Sequence, residues 1–188
     1  MESNGDNTNK KTGAADGMTV ITDIKSVDFN DKSVIEKEID DFVKKYAYAD
    51  VEHALVISPN GNAYSLIGNE REVNSSIIGK DALEDSICIH NHPIPKGDIT
   101  GDSFSKHDLM FAAEYKLGKQ YVVSGERKNE FLYTGSLDRD QMKNAYKKAL
   151  DKLRELALDE IIIIDFEQEQ IMRILNNILE GLEFYENV

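Results

Sequence analysis

Three of the four histidines in this chain, His90, His92 and His107, fall within the stretch SICIHNHPIPKGDITGDSFSKHDL at residues 86–109. In a β-strand, side chains two apart share a face. A strand over SICIH therefore turns Cys88, His90 and His92 one way, and Ile87 and Ile89 the other. Two imidazoles roughly 7 Å apart by strand rise can tilt toward a single ion at a Zn–N distance of about 2.0–2.1 Å. A zinc enzyme keeps three protein ligands and leaves a fourth position to water. Asp108 is the natural third ligand: Ser105-Lys106-His107-Asp108 opens the helix that follows the loop, so Ser105 can cap it while Asp108 faces back toward the strand end. The same S-x-x-D spacing is a capping box, and the two roles are compatible.

Hydrolysis also needs a base. Zinc lowers the pKa of its bound water toward about 7, and a nearby carboxylate can then take the proton as hydroxide attacks a carbonyl. Glu52 opens the EHALVIS run and meets this need if that run lies beside SICIH; Glu70, Glu72 and Glu84 also lie upstream. Cys88 shares the histidine face but reads as a small core residue, as free cysteines commonly are. His53 points opposite to Glu52, toward solvent or core.

The elements that must place these groups follow from periodicity and turn signals. VIEKEIDDFVKKYAYA puts Ile35, Ile39, Phe42, Val43 and Tyr46 at helical spacing, with acids early and lysines late. EHALVIS and AYSLIG flank an Asn-Gly turn and predict a hairpin. IIGKDALED suggests a brief helix or loop, and Pro93 helps to end the SICIH strand. From Ser105 a helix carries the stripe Leu109, Met110, Ala113 and Leu117, with Gly118 placed for its C-cap. KQYVVSG and NEFLYTG predict a second hairpin. DRDQMKNAYKKALDKLRELALDE reads as a long helix, and FEQEQIMRILNNILEGLEFYENV after IIIID as another. The apolar positions of the latter, Ile171, Ile174, Leu175, Ile178, Leu179 and Leu182, need a surface to cover.

Glu52, a hairpin, His90-Asn91-His92-Pro93 and then Ser105-x-x-Asp108 together resemble the JAB/MPN family, whose JAMM motif is an upstream glutamate followed by H-x-H-P and S-x-x-D. The HNHP string is most similar to the bacterial RadC-type and phage- or toxin-associated branches. The resemblance covers roughly residues 34–135. It implies an α/β fold, a mixed sheet flanked by helices with cytidine-deaminase-like layering, to which the periodicity of the tail, outside the motif, adds extra C-terminal helices. It also implies a zinc-dependent peptidase or isopeptidase acting on a protein or peptide. His90, His92 and Asp108 would hold the metal, Glu52 would work through the bound water, and Ser105 would help stabilise the oxyanion. The family places its aspartate about eleven positions after the second histidine, whereas His92 and Asp108 are sixteen apart. Extra residues in an exposed loop cost little entropy, and Asp102 and His107 stand as substitutes for Asp108. The alternative is a JAB-like module that binds without cutting and docks a protein partner through its C-terminal helices.

Bulk properties narrow the field further. The chain has 188 residues, enough for one domain with a sizeable core. Residues 1–17 read as a disordered lead-in, 18–136 as the zinc domain and 137–188 as a helical extension. A net charge of −13 repels phosphate backbones, so nucleic acid is not an expected partner. The letters HNH suggest a nuclease, but that motif is spread over a hairpin and a helix rather than contiguous. No apolar run reaches the roughly 18–20 residues of a membrane span, and the N-terminus lacks the apolar core of a signal peptide. With a single cysteine, a cytoplasmic location is expected.

Overall fold

The computed structural model describes residues 18–94, 103–134, 137–158 and 167–188. The lead-in at 1–17, most of the loop after His92 including Asp102, and the IIIID run lie outside the described residues.

The described strands are β1 (Val20–Ser26), β2 (His53–Ile57), β3 (Asn62–Ile67), β4 (Ile87–Asn91), β5 (Lys119–Ser124), β6 (Arg127–Tyr133) and β7 (Leu182–Tyr185). They form one mixed sheet in the order β1-β3-β2-β4-β5-β6-β7. β4 and β5 run parallel, and the other neighbours run antiparallel. A parallel pair needs a crossover rather than a hairpin, and here the helix that follows the histidine loop makes it. The helices are α1 (Lys32–Tyr46), α2 (Lys80–Leu83), α3 (Lys106–Tyr115), α4 (Arg139–Leu158) and α5 (Glu167–Ile178), with a short 3₁₀ turn at Ser75–Ile78.

Strand alternation sorts the core into two layers. On one face Leu55, Ile57, Ile89, Tyr121 and Val123 pack with Ile39 and Phe42 of α1. On the other Ala54, Val56, Cys88 and Val122 pack with α3, α4 and α5, through residues such as Leu109, Met142, Leu153 and Met172. The expected helix at α1 is present, capped by Asp31, whose carboxylate accepts from the Ser33 N–H at 2.9 Å. Both expected hairpins are present as β2–β3 and β5–β6.

Three details differ from expectation. Nothing in VITDIKS announces β1, which lies at the sheet edge and is exposed along nearly its whole length. α3 ends two residues early, with Lys116 rather than Gly118 as its cap and in the left-handed conformation (φ 53°). The last segment is not helical throughout: α5 stops at Ile178, Gly181 turns the chain at φ 79°, and Leu182–Tyr185 adds a strand to β6. The open edge of β6 offers backbone hydrogen bonds to that strand, which a continued helix could not use. Ile171, Leu175 and Leu182 are accordingly buried in the same core as the sheet, Ile174 and Leu179 pack against it, and Ile178 stays exposed. Among the described residues no helix is long and apolar enough to cross a membrane.

Candidate metal centre

β4 delivers the two histidines. His90 is its fourth residue and 4% exposed, and His92 follows immediately after the strand. His92 is held by its main chain: its N–H donates to the Val123 carbonyl at 2.9 Å, and its own carbonyl accepts from Ser124 Oγ at 2.8 Å. The rings turn their Nε2 atoms toward each other, 3.1 Å apart. Behind His90 stands Phe104, fully buried, with Phe131 of β6 and Phe184 of β7 against its other sides. The C-terminal strand thus buttresses the histidine shelf.

Asp108 arrives from the first turn of α3. Ser105 and Asp108 form a reciprocal capping box: the Ser105 N–H donates to Asp108 Oδ2 at 2.6 Å, and the Asp108 N–H donates to Ser105 Oγ at 3.4 Å. This cap aims the carboxylate back at the strand, with Oδ1 3.3 Å from His90 Nε2 and Oδ2 3.6 Å from His92 Nε2. One ligand atom from each of His90, His92 and Asp108 lies within 4.8 Å of the others. Tetrahedral ligands at about 2.0–2.1 Å from an ion stand roughly 3.3 Å apart, close to the observed spacings. The donor set therefore fits a divalent cation. Burial pushes the Asp108 carboxyl up, but the charge and hydrogen bond of His90, followed by those of His92, outweigh it and hold the group well below the usual carboxylate range. A carboxylate kept ionised beside two imidazoles is what a cation requires.

The register of β2 on β4 pairs Ala54 with His90. Two residues before Ala54, Glu52 shares its face and falls level with His92. Glu52 is 9% exposed and opens onto the same cavity as the three ligands. Burial raises its pKa, the neighbouring His90 and His92 oppose that rise, Asp108 adds to it, and a hydrogen bond from the Val73 N–H opposes it. Its backbone is fixed as well. The Glu52 N–H donates to the Asn69 carbonyl at 2.7 Å, and its carbonyl accepts from the Gly68 N–H at 2.8 Å. Gly68 is required by this turn, since a Cβ there would collide with the Glu72 carbonyl.

The cavity, about 520 Å³, lies among β4, α3 and the 71–76 segment. That is within the usual range of small-molecule and cofactor sites. His107 is exposed and lines it but lies outside the three-ligand cluster. Cys88 is 3% exposed in the core, and burial pushes its thiol up to about 12, with Asp108 adding to the rise and Ser75 opposing it. It stays a neutral thiol. His53 faces α1 and stacks on Tyr46 with ring centroids 3.9 Å apart.

Two residues near the site carried no sequence signal of their own. Gln120, level with Cys88 on β5, lines the cavity floor with its Oε1 buried and without a hydrogen-bond donor. Asn91, fully buried, turns its carboxamide toward the chain around Glu52. Comparison with protein-family models, curated proteins and solved structures returns no match to this chain.

Proposed function

We propose that the protein is a zinc-dependent hydrolase of the JAMM type, cleaving an amide bond in a peptide or protein substrate. The observation that carries this reading is the convergence of His90, His92 and Asp108 within 4.8 Å beside the buried Glu52, on one cavity large enough for a peptide segment. Zinc in that cradle would polarise the scissile carbonyl and lower the pKa of an attacking water toward about 7.

The chain's own groups account for the remaining steps. Glu52 accepts the proton of the attacking water and returns it to the leaving nitrogen. Its raised pKa moves it from an ordinary carboxylate toward the range in which a group can both take and give a proton near neutrality. Ser105 uses its oxygen to accept from Asp108, which leaves its hydroxyl hydrogen to stabilise negative charge on the carbonyl oxygen. Phe111 and Tyr115, whose rings lie tilted against each other along α3 with centroids 4.6 Å apart, supply an apolar wall for substrate.

The test is cleavage of zinc-loaded protein on a peptide library and on isopeptide-linked ubiquitin-like substrates, with Glu52→Gln as the comparison. A proton-transfer role predicts a loss of about 10²–10⁴-fold in kcat for the variant at unchanged zinc content. Equal turnover by both proteins would remove Glu52 from the chemistry, and a chain that takes up no zinc would remove the whole reading.

A further inference from the structure

The middle residue of the HNHP string faces away from the two histidines, and the strand alternation that serves them leaves it no part in the cradle. Its side chain is nonetheless committed. Asn91 Oδ1 accepts from the His53 N–H at 2.7 Å, and Asn91 Nδ2 donates to the Val51 carbonyl at 3.0 Å. Only one orientation of the carboxamide satisfies both bonds, so the network fixes the assignment. Val51 and His53 are the two neighbours of Glu52. Paired Cα positions between β2 and β4 run only as far as Ala54 and His90, and beyond that point the Asn91 carboxamide takes over the pairing.

Together with the bonds to Asn69 and Gly68, this leaves Glu52 pinned from two sides. The turn at 68–73 holds its own N–H and C=O, and Asn91 holds the C=O before it and the N–H after it. The turn also reaches the carboxylate through the Val73 N–H, whereas Asn91 bonds only the main chain on either side, so the Asn91 clamp acts on the position of the carboxylate rather than its chemistry.

We infer that Asn91 is a positioning residue that couples the histidine strand to the general base, setting where the Glu52 carboxylate stands over the metal cradle. The inference rests on the amide-hydrolase reading for its consequence in turnover, and on the two hydrogen bonds for its geometry. It predicts a specific pattern of non-additivity. Displacing a reacting group by about 1 Å costs on the order of 10²-fold, so Asn91→Ala lowers kcat by roughly 10- to 100-fold with KM and zinc content held. In a Glu52→Gln background the same change costs less than about twofold, because nothing remains to be positioned. Asn91→Thr, which replaces the carboxamide with a hydroxyl able to keep one of the two bonds on a strand-favouring side chain, gives an intermediate loss and serves if the alanine variant folds poorly.

The second arm needs no turnover. With cobalt(II) in place of zinc, the visible spectrum reports the environment of the metal's open position. Asn91→Ala reproduces the spectral change of Glu52→Gln, and the double variant adds none. Equal fold-losses from Asn91→Ala in both backgrounds, or a cobalt spectrum that Asn91→Ala leaves unchanged while Glu52→Gln shifts it, overturns the inference alone. A chain that binds no cobalt overturns it together with the hydrolase reading.

Discussion

Glu52 and His53 are consecutive, both ionisable, and both withdrawn from solvent, yet they belong to different parts of the molecule. Strand alternation sends Glu52 to the face shared with His90, His92 and Asp108, and His53 to the face packed by α1. Burial disfavours charge on each, raising the pKa of Glu52 and lowering that of His53 to about 4. On the α1 face the neighbours are aliphatic and aromatic: Leu55, Ile57, Ile89 and Phe42. On the other, Cys88, His90, Gln120 and Ser75 are buried among them. The same desolvation is structural on one side, where His53 only stacks on Tyr46. On the other it is set among groups that can exchange protons and hold an ion.

β4 allows the sharpest break between the faces. If the cradle holds zinc as proposed, His92→Ala removes one of its three ligands, and zinc content is expected to fall from one per chain to near zero with activity at background, measured by metal analysis and peptide cleavage. Ile89→Ala, next to His90 but on the α1 face and fully buried, creates a core cavity. It is expected to cost about 2–5 kcal/mol in unfolding free energy while the folded fraction still binds zinc. Zinc loss from the Ile89 variant at a temperature where it is folded would mean that the faces are not independent.

A smaller effect separates two helix caps. Ser105→Ala removes a cap, worth about 1 kcal/mol, and, on the proposed hydrolase mechanism, a hydroxyl that would donate to the oxyanion, worth about 10²-fold in kcat. Asp31→Ala removes the equivalent cap from α1 on the other face, and is expected to match the first loss without the second. Melting curves and steady-state rates on the two variants distinguish them. If both lower kcat alike, Ser105 is only a cap.

How far these roles could be foreseen depended on the range of the signal. His90, His92 and Ser105-x-x-Asp108 are local: strand alternation and a helix cap fix their directions within a few residues, and the structure brings them together despite the long loop between His92 and Asp108. Glu52 required a non-local premise, that EHALVIS lies beside SICIH, and the β2–β4 pairing supplies it. Asn91 was illegible because its role lies in bonds to residues 38 and 40 positions away, and asparagine in a strand carries no propensity that marks it. β7 was hidden for a related reason. LEFY has a strand's composition, but it continues a helical stripe, and only the open edge of β6 decides against the helix. Phe184, which supports Phe104 and through it His90, was hidden with it.

The least of the effects isolates the α1 face by pH. The half-buried His53 ring has its pKa held at about 4 by burial, with the charge of Lys45 acting in the same direction, against an ordinary value of 6.5. Between those values the unfolded chain binds a proton that the native ring refuses, so stability rises with pH through this window. The contribution is complete above pH 6.5, is lost as pH falls toward 4, and then levels. Discounted for the ring's partial exposure, its size is about 1–2 kcal/mol. His53→Phe keeps an aromatic on Tyr46 and removes the proton site. Subtracting its urea-unfolding free energies from those of the parent between pH 3.5 and 7.5 therefore yields a curve that climbs through this window and is flat outside it. Glu52, whose raised pKa gives stability the opposite slope, is present in both proteins and cancels from the difference. A flat difference curve would place the imidazole in water, and the contrast between the two neighbours would then lie in geometry alone.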